Sequence, residues 1–208
     1  MRLLPCGDRA VLVELEDGPA RRRLDAALRR HPLPDVVEHV PGARTVLVRA
    51  SAPDALPGVV AALRLLRWED VEEEPGTAAA EVVQLPVRYD GEDLDEVARL
   101  LGVAPEEVVR RHTGQQWTVE FCGFMPGFGY LVGDAGGLEV PRRTSPRTRI
   151  PTGAVALAGA FTGVYPRPSP GGWQLIGTTD AVLWDPDRQP PALFAPGTRV
   201  RFVEVGDA

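Results

Sequence analysis

From residue 117 onward, glycine and proline recur at intervals too short for a helix to grow, and this punctuation constrains the fold more than any other feature of the chain. Between the breaks stand short apolar segments: "WTVEFCGF", "AVALAG", "GWQLIGTT", "AVLWD" and "TRVRFVEV". Frequent turns among short strands predict a closed or nearly closed β-barrel.

The first half reads differently. "AVLVEL" (10–15) alternates apolar and polar residues like a half-buried strand. "PARRRLDAALRRH" (19–31) has Leu24, Ala27 and Leu28 at helical spacing. "DVVEHV" (35–40) and "RTVLVRA" (44–50) predict two strands joined by a Pro-Gly turn, and 53–68 predicts a second helix. The order β-α-β-β-α implies a small two-layer α/β sandwich. Residues 69–80, "EDVEEEPGTAAA", shift to acidic and then small side chains, which places a domain boundary near residue 80: 1–80 and 81–208. A strand over 81–89 and helices over 90–102 and 104–114 then lead into the barrel.

Composition removes several chemistries. The 208 residues include no lysine and no asparagine, so all 23 basic side chains are arginine. Such a chain has no P-loop lysine, no Schiff-base lysine and no biotinylated lysine; carboxylates or phosphates must be met by arginine forks or backbone N–H groups. A net charge of −6 disfavours a general nucleic-acid or anionic-membrane binder. Cys6 and Cys122 make no disulfide framework and are expected to be reduced core residues of a cytoplasmic protein. The N-terminus lacks a signal-peptide h-region, and Gly and Pro interrupt the longest charge-free run, 150–166, too often for a membrane span. Histidines at 31, 39 and 112 without paired cysteines do not make a metal site. Ser51, Ser145 and Ser169 stand in no nucleophile-elbow context, which argues against a Ser-His-Asp hydrolase.

Four places remain for chemistry. In "GFMPGFGYL" (123–131), Gly127 and Gly129 permit close backbone approach and Pro126 fixes the turn; Phe124, Phe128 and Tyr130 line either a pocket wall or a barrel corner. In "PRRTSPRTRIPTG" (141–153), Arg142, Arg143, Arg147 and Arg149 alternate with prolines on an extended, stiff segment, as either an anion site or a solvated face. Gly171 and Gly172 form a turn that presents Trp173, as a stacking platform or as the start of a core strand. His112 ends a helix and is a catalytic candidate only if it faces the same pocket.

Together, "LDEVARLLGVAPEEVVRRHTG", "GFMPGFGYL", "VPRRTSPRTRIPTGAVALAG", "TGVYPRPSPGGWQLIGTT" and "LWDPDRQPPALFAPGTRVRF" resemble, in order and spacing, the KipI / 5-oxoprolinase B-subunit (PxpB) family, also called allophanate hydrolase subunit 1. The opening "GDRAVLVEL" extends the resemblance over nearly the whole chain. It implies an α+β protein, with a small N-terminal α/β sandwich followed by a cyclophilin-like β-barrel. It also implies partners, a KipA-like C component and an A component, with which members cleave 5-oxoproline to glutamate. ATP drives that reaction, bound by this chain or by the assembled complex, and a single component is expected to be inactive. Other members inhibit a sporulation sensor kinase or form part of the carboxyltransferase of biotin-dependent urea carboxylase. On this reading Arg142, Arg147 and Arg149 hold carboxylate or phosphoryl oxygens. Phe124, Pro126, Gly127, Tyr130, Gly171, Gly172 and Trp173 shape the pocket, with His112 as the catalytic candidate. Ala154, Phe161, Thr178 and Glu120 depart from the family's usual residues.

Overall fold

Residues 1–71 and 82–206 are described by the computed structural model, in which the chain divides into two units, Met1–Pro75 and Gly76–Ala208. The expected boundary near residue 80 falls outside the described residues.

In the first unit, β1 (Arg2–Cys6), β2 (Ala10–Glu14), β3 (Val36–Pro41) and β4 (Thr45–Ala50) form an antiparallel sheet in the order β1-β2-β4-β3. Two helices, α1 (Gly18–Arg30) and α2 (Leu56–Leu65), supply the rest of its regular structure, with a 3-10 turn at Pro53–Ala55 just before α2. Asp17 starts α1 by accepting the Ala20 N–H at 2.8 Å. The inward side chains of the strands, Val11, Val13, Val46 and Val48, pack in one apolar cluster with Leu24, Ala27, Leu28, Val59 and Leu63 from the helices. Strand β1 is absent from the expected order because Pro5 interrupts its pattern. Proline is tolerated there since β1 lies at the sheet edge. Cys6, at the end of that edge strand, is exposed and Cys122 only partly buried, so neither is the core thiol that composition suggested.

In the second unit a seven-stranded sheet runs β12-β9-β10-β7-β6-β13-β5. Its strands are β5 (Val83–Val87), β6 (Trp117–Cys122), β7 (Gly129–Gly133), β9 (Ala154–Ala158), β10 (Phe161–Val164), β12 (Gln174–Thr178) and β13 (Arg199–Glu204). Only the β13–β5 pair is parallel. The two edge strands meet where Arg88 and Thr178 exchange backbone hydrogen bonds of 2.9 and 2.7 Å, so the sheet is nearly closed, as the spacing of glycine and proline predicted. A separate two-stranded ribbon pairs β8 (Arg147–Ile150) with β11 (Ser169–Gly171).

Helices α3 (Leu94–Leu101) and α4 (Pro105–Thr113) contribute Val97, Ala98 and Val108 to a core with Trp117, Leu131, Leu157, Ile176 and Phe202. "AVLWD" is not a strand: only Trp184 makes a bridge, to Ala192, before Pro186 ends the segment. Strand β9 is buried on both faces. Val155 and Leu157 join the main core, while Ala154, Ala156 and Ala158 floor a second cluster with Phe128, Ile150, Tyr165, Trp173 and Leu175. No helix among the described residues is long and apolar enough to cross a membrane.

Candidate functional site

The second cluster is an aromatic cradle. Phe128 is its centre, with ring centroids 5.5 Å from Phe124, 5.1 Å from Tyr130, 5.3 Å from Tyr165 and 5.5 Å from Trp173, all edge-on. Alanines beneath leave depth for these rings, and Phe121 and Phe161 extend the aromatic surface past Tyr130. Phe128, Tyr165 and Trp173 are buried, so the surfaces within reach of solvent are those of Phe124, Met125, Tyr130 and Phe161.

Phe124 is held outward by local strain. Its φ is +69°, and the Met125 N–H closes a tight turn onto the Gly123 carbonyl at 2.8 Å. A non-glycine residue in that region costs on the order of 1 kcal/mol. With 59% of its surface exposed, Phe124 recovers little of that cost through burial. Gly127 has φ +83°, and a Cβ there would lie 2.8 Å from the Trp184 Cβ, so the turn after the exposed Pro126 admits no side chain.

The four arginines divide into two kinds. Arg147 grips Asp93 with both terminal nitrogens, at 2.9 and 2.8 Å, and reaches Glu92 at 3.0 Å. Arg143 meets the same carboxylate at 2.5 Å. The Leu175 N–H completes the set at 2.7 Å, so Asp93, 3% exposed, ties the start of α3 to β12 and to the arginine segment. Burial alone would raise this carboxyl. The Arg147 hydrogen bonds, the Leu175 N–H and the two guanidinium charges outweigh it and hold the group below the usual carboxylate range. Arg147, expected as an anion ligand, is thus neutralised by a protein anion.

Arg142 and Arg149 remain exposed. Arg142 lies close enough to the cradle for its charge to act on both Tyr130 and Tyr165. Gly171 sits beside Tyr165, where a Cβ would lie 2.7 Å from the phenolic oxygen, and Gly172 accepts the Arg143 N–H at 2.8 Å. The structure therefore gathers Phe124, Tyr130 and Trp173 about Phe128, with Trp173 buried and Phe124 and Tyr130 reaching outward, Pro126 and Gly127 in the turn beside Phe124, and Arg142 exposed on the segment that Gly172 pairs with.

His112 stands apart. It is fully buried, and its ring packs on Trp117 and Phe202. The Thr162 hydroxyl donates to the Ala156 carbonyl at 3.2 Å, so the His112 Nε2–H donates to Thr162 at 2.9 Å. The Nδ1 atom then accepts from the Tyr89 hydroxyl at 2.7 Å. Burial pushes the imidazole down to about 3, so it is neutral and fully bonded, without the solvent-facing nitrogen that the expected catalytic role requires. Sequence reasoning missed Asp93, which lies within the helix expected over 90–102, and Tyr165, whose signal was its place in "TGVYP".

A separate cleft of ≈ 310 Å³ at the end of α4 is lined by Arg110, Arg111, Gln115 and Gly137, but Glu107 engages both of its arginines. Among the described residues no three His, Cys, Asp or Glu side chains gather as metal ligands.

The two-unit chain with its nearly closed mixed barrel falls in a recognised class: residues 1–194 match the family described as carboxyltransferase domain, subdomain C and D. Within it, the chain belongs to the family of 5-oxoprolinase B subunits. Three curated relatives are named as the B subunit of that enzyme, at 40–44% identity; the one from Escherichia coli O157:H7 is 40% identical over 204 residues, 95% of this chain and 93% of its own. The solved protein TTHA0988 is 38% identical, with a TM-score of 0.75 over 96% of this chain, which spans 40% of that longer one. The Kluyveromyces lactis urea amidolyase shares the fold at 21% identity and a TM-score of 0.79, over 98% of this chain and 15% of its own.

Proposed function

We propose that the chain is the B component of an ATP-dependent 5-oxoprolinase complex, working with homologues of the A and C components to convert 5-oxo-L-proline, ATP and water to L-glutamate, ADP and phosphate. The observation that carries this reading is the likeness, over 95% of this chain, to a relative of that name, and the cradle agrees with it in chemistry. The substrate is a flat ring with one carboxylate, and the surface offers aromatic faces beside Arg142. Its lactam is inert near neutral pH, so hydrolysis must be coupled to activation of the ring carbonyl, which ATP supplies. ATP is assigned to the assembled complex. The chain has no lysine, and the paired arginines of its stiff segment are engaged by the carboxylates of Asp93 and Glu92. The kinase-inhibitor and carboxyl-transfer readings are set aside, since the curated relatives at 40–44% identity are all named as 5-oxoprolinase B subunits, whereas the urea amidolyase, at 21% identity, shares the fold alone.

The test is ATP-dependent glutamate release from 5-oxoproline by this chain alone, with its KipA-like C homologue, and with the A and C homologues together. Activity is expected only in the complete mixture. Equal activity when this chain is left out overturns the assignment.

A further inference from the structure

We propose that the turn carrying Phe124 and the loop carrying Val182 and Trp184 form one docking face, occupied by a second protein whose contact surface is apolar with a basic flank. Naming that protein as another component of the complex rests on the 5-oxoprolinase reading.

The two loops lie against each other along their length. A Cβ on Gly127 would come within 2.8 Å of the Trp184 Cβ and 3.2 Å of the Leu183 carbonyl oxygen, and one on Gly129 within 3.1 Å of the Phe194 ring. The Cys122 thiol reaches the Phe194 carbonyl at 3.6 Å. Phe124 stands in the same turn as Gly127, which the Phe128 N–H closes onto the Met125 carbonyl at 3.1 Å. Phe124, Val182 and Trp184 are 59%, 59% and 41% exposed. A lone exposed apolar residue is ordinary; three large ones on two touching loops make a patch of the kind that marks an interaction site.

Both loops are stiff before anything binds. The Arg188 guanidinium donates to the carbonyls of Val182, Leu183, Pro190 and Pro191 at 3.0 to 3.3 Å. The Asp185 N–H bonds to the Pro191 carbonyl and the Leu193 N–H to the Leu183 carbonyl, each at 2.9 Å. Phe124 is set outward at a positive φ that its own burial does not repay. Exposed aromatic side chains on loops already ordered lower the entropic cost of association, and tryptophan is prominent among residues that dominate interfaces.

Charge fixes the chemistry of the occupant. No arginine occurs from 112 to 141 or from 168 to 187, the two stretches that supply the face. Arg188 gives its donors to carbonyls, and among the described residues no ion pair engages Asp185 or the exposed Asp187. A complementary surface therefore buries apolar side chains on Phe124 and Trp184 and sets lysine or arginine against these carboxylates. Nucleic acid and other polyanions are disfavoured by the same rim. TTHA0988 holds this fold in 40% of its chain, joined to a longer remainder. The occupant is the separate component that corresponds to that remainder.

Sedimentation velocity and calorimetric titration of the full chain with the A and C homologues, each added alone, test the face. The homologue whose sequence aligns with the remainder of TTHA0988 is expected to bind, less tightly as salt rises. Trp184→Ser and Phe124→Gly should each weaken it about tenfold or more, and Asp187→Lys should weaken it too. Val203→Ser, at an exposed apolar position past the opposite end of β6, should bind as the parent does. Trp184 and Phe124 are at the surface and glycine accepts positive φ, so both variants should melt close to the parent. No association of the parent, association only with the other homologue, or self-association of the parent that both variants abolish overturns the proposal. Parent-like binding by both variants, with glutamate release intact in the complete mixture, removes the face and leaves the 5-oxoprolinase assignment. Binding lost in the variants, with no glutamate release from the parent mixture, removes the assignment and leaves the face.

Discussion

His112 shows how one residue's role turns on what closes over it. Its place at a helix C-terminus was legible in the sequence and made it a catalytic candidate only if it faced the pocket. What removed that role was Phe202, ninety positions later, and Thr162 on β10, partners that no local pattern announces. The buried neutral ring has a consequence for stability. Its folded pKa, about 3, lies below the ordinary value of 6.5, so the unfolded chain takes up the proton first as pH falls. The stability it secures is complete above pH 6.5 and is lost from there down to about pH 3, at ~1.4 kcal/mol per pH unit. His112→Phe keeps a ring between Trp117 and Phe202 but strands the Tyr89 hydroxyl. It should cost about 1–3 kcal/mol at pH 7 and show a shallower loss of stability between pH 6.5 and 5. Urea denaturation of parent and variant at both pH values checks this, and parallel losses would contradict it.

At the scale of elements, the arginine segment was legible as stiff and extended but not as a tether. The prolines at 141, 146 and 151 dictate the extended backbone. The anion that claims Arg143 and Arg147 comes from the turn before α3, about fifty residues upstream, and reaches them because α3 packs beside β12. Sequence spacing cannot encode such a meeting; only the order of strands around the barrel does. Asp93→Asn keeps the shape but leaves two guanidinium groups with a neutral partner. Removing one member of a buried ion cluster costs about 3 kcal/mol or more, whereas Arg149→Ala on the exposed side of β8 should stay within about 0.5 kcal/mol. Because its folded pKa is lowered, Asp93 stabilises fully above its unfolded value of 3.8 and stops doing so as pH falls below it, an acid window beneath that of His112. Equilibrium unfolding of the two variants at pH 7 separates these roles, and equal losses would deny Asp93 its place as the tether.

For the whole molecule, composition carried the architecture further than it carried the site. The break from periodic helices to glycine- and proline-punctuated strands foretold the barrel-like sheet. The strands it hid, β1, β7, β10 and β11, are those in which proline or glycine sits inside the pattern. Among the described residues, each unit's apolar clusters are built from its own side chains: those of the first from positions 3 to 71, those of the second from 83 to 202. The strands of the second unit pair only with one another, and Arg88 and Thr178 close them without outside help. A chain of about 125 residues is also long enough to bury most of an apolar core unaided. Residues 82–208 expressed alone should therefore unfold in one cooperative transition with the aromatic cradle intact, since every residue of that cluster lies within them. Thermal melting followed by near-ultraviolet dichroism is the check. A broad, non-cooperative melt with weak aromatic signal would mean that the barrel core depends on the first seventy residues, and that the two units are one folding entity.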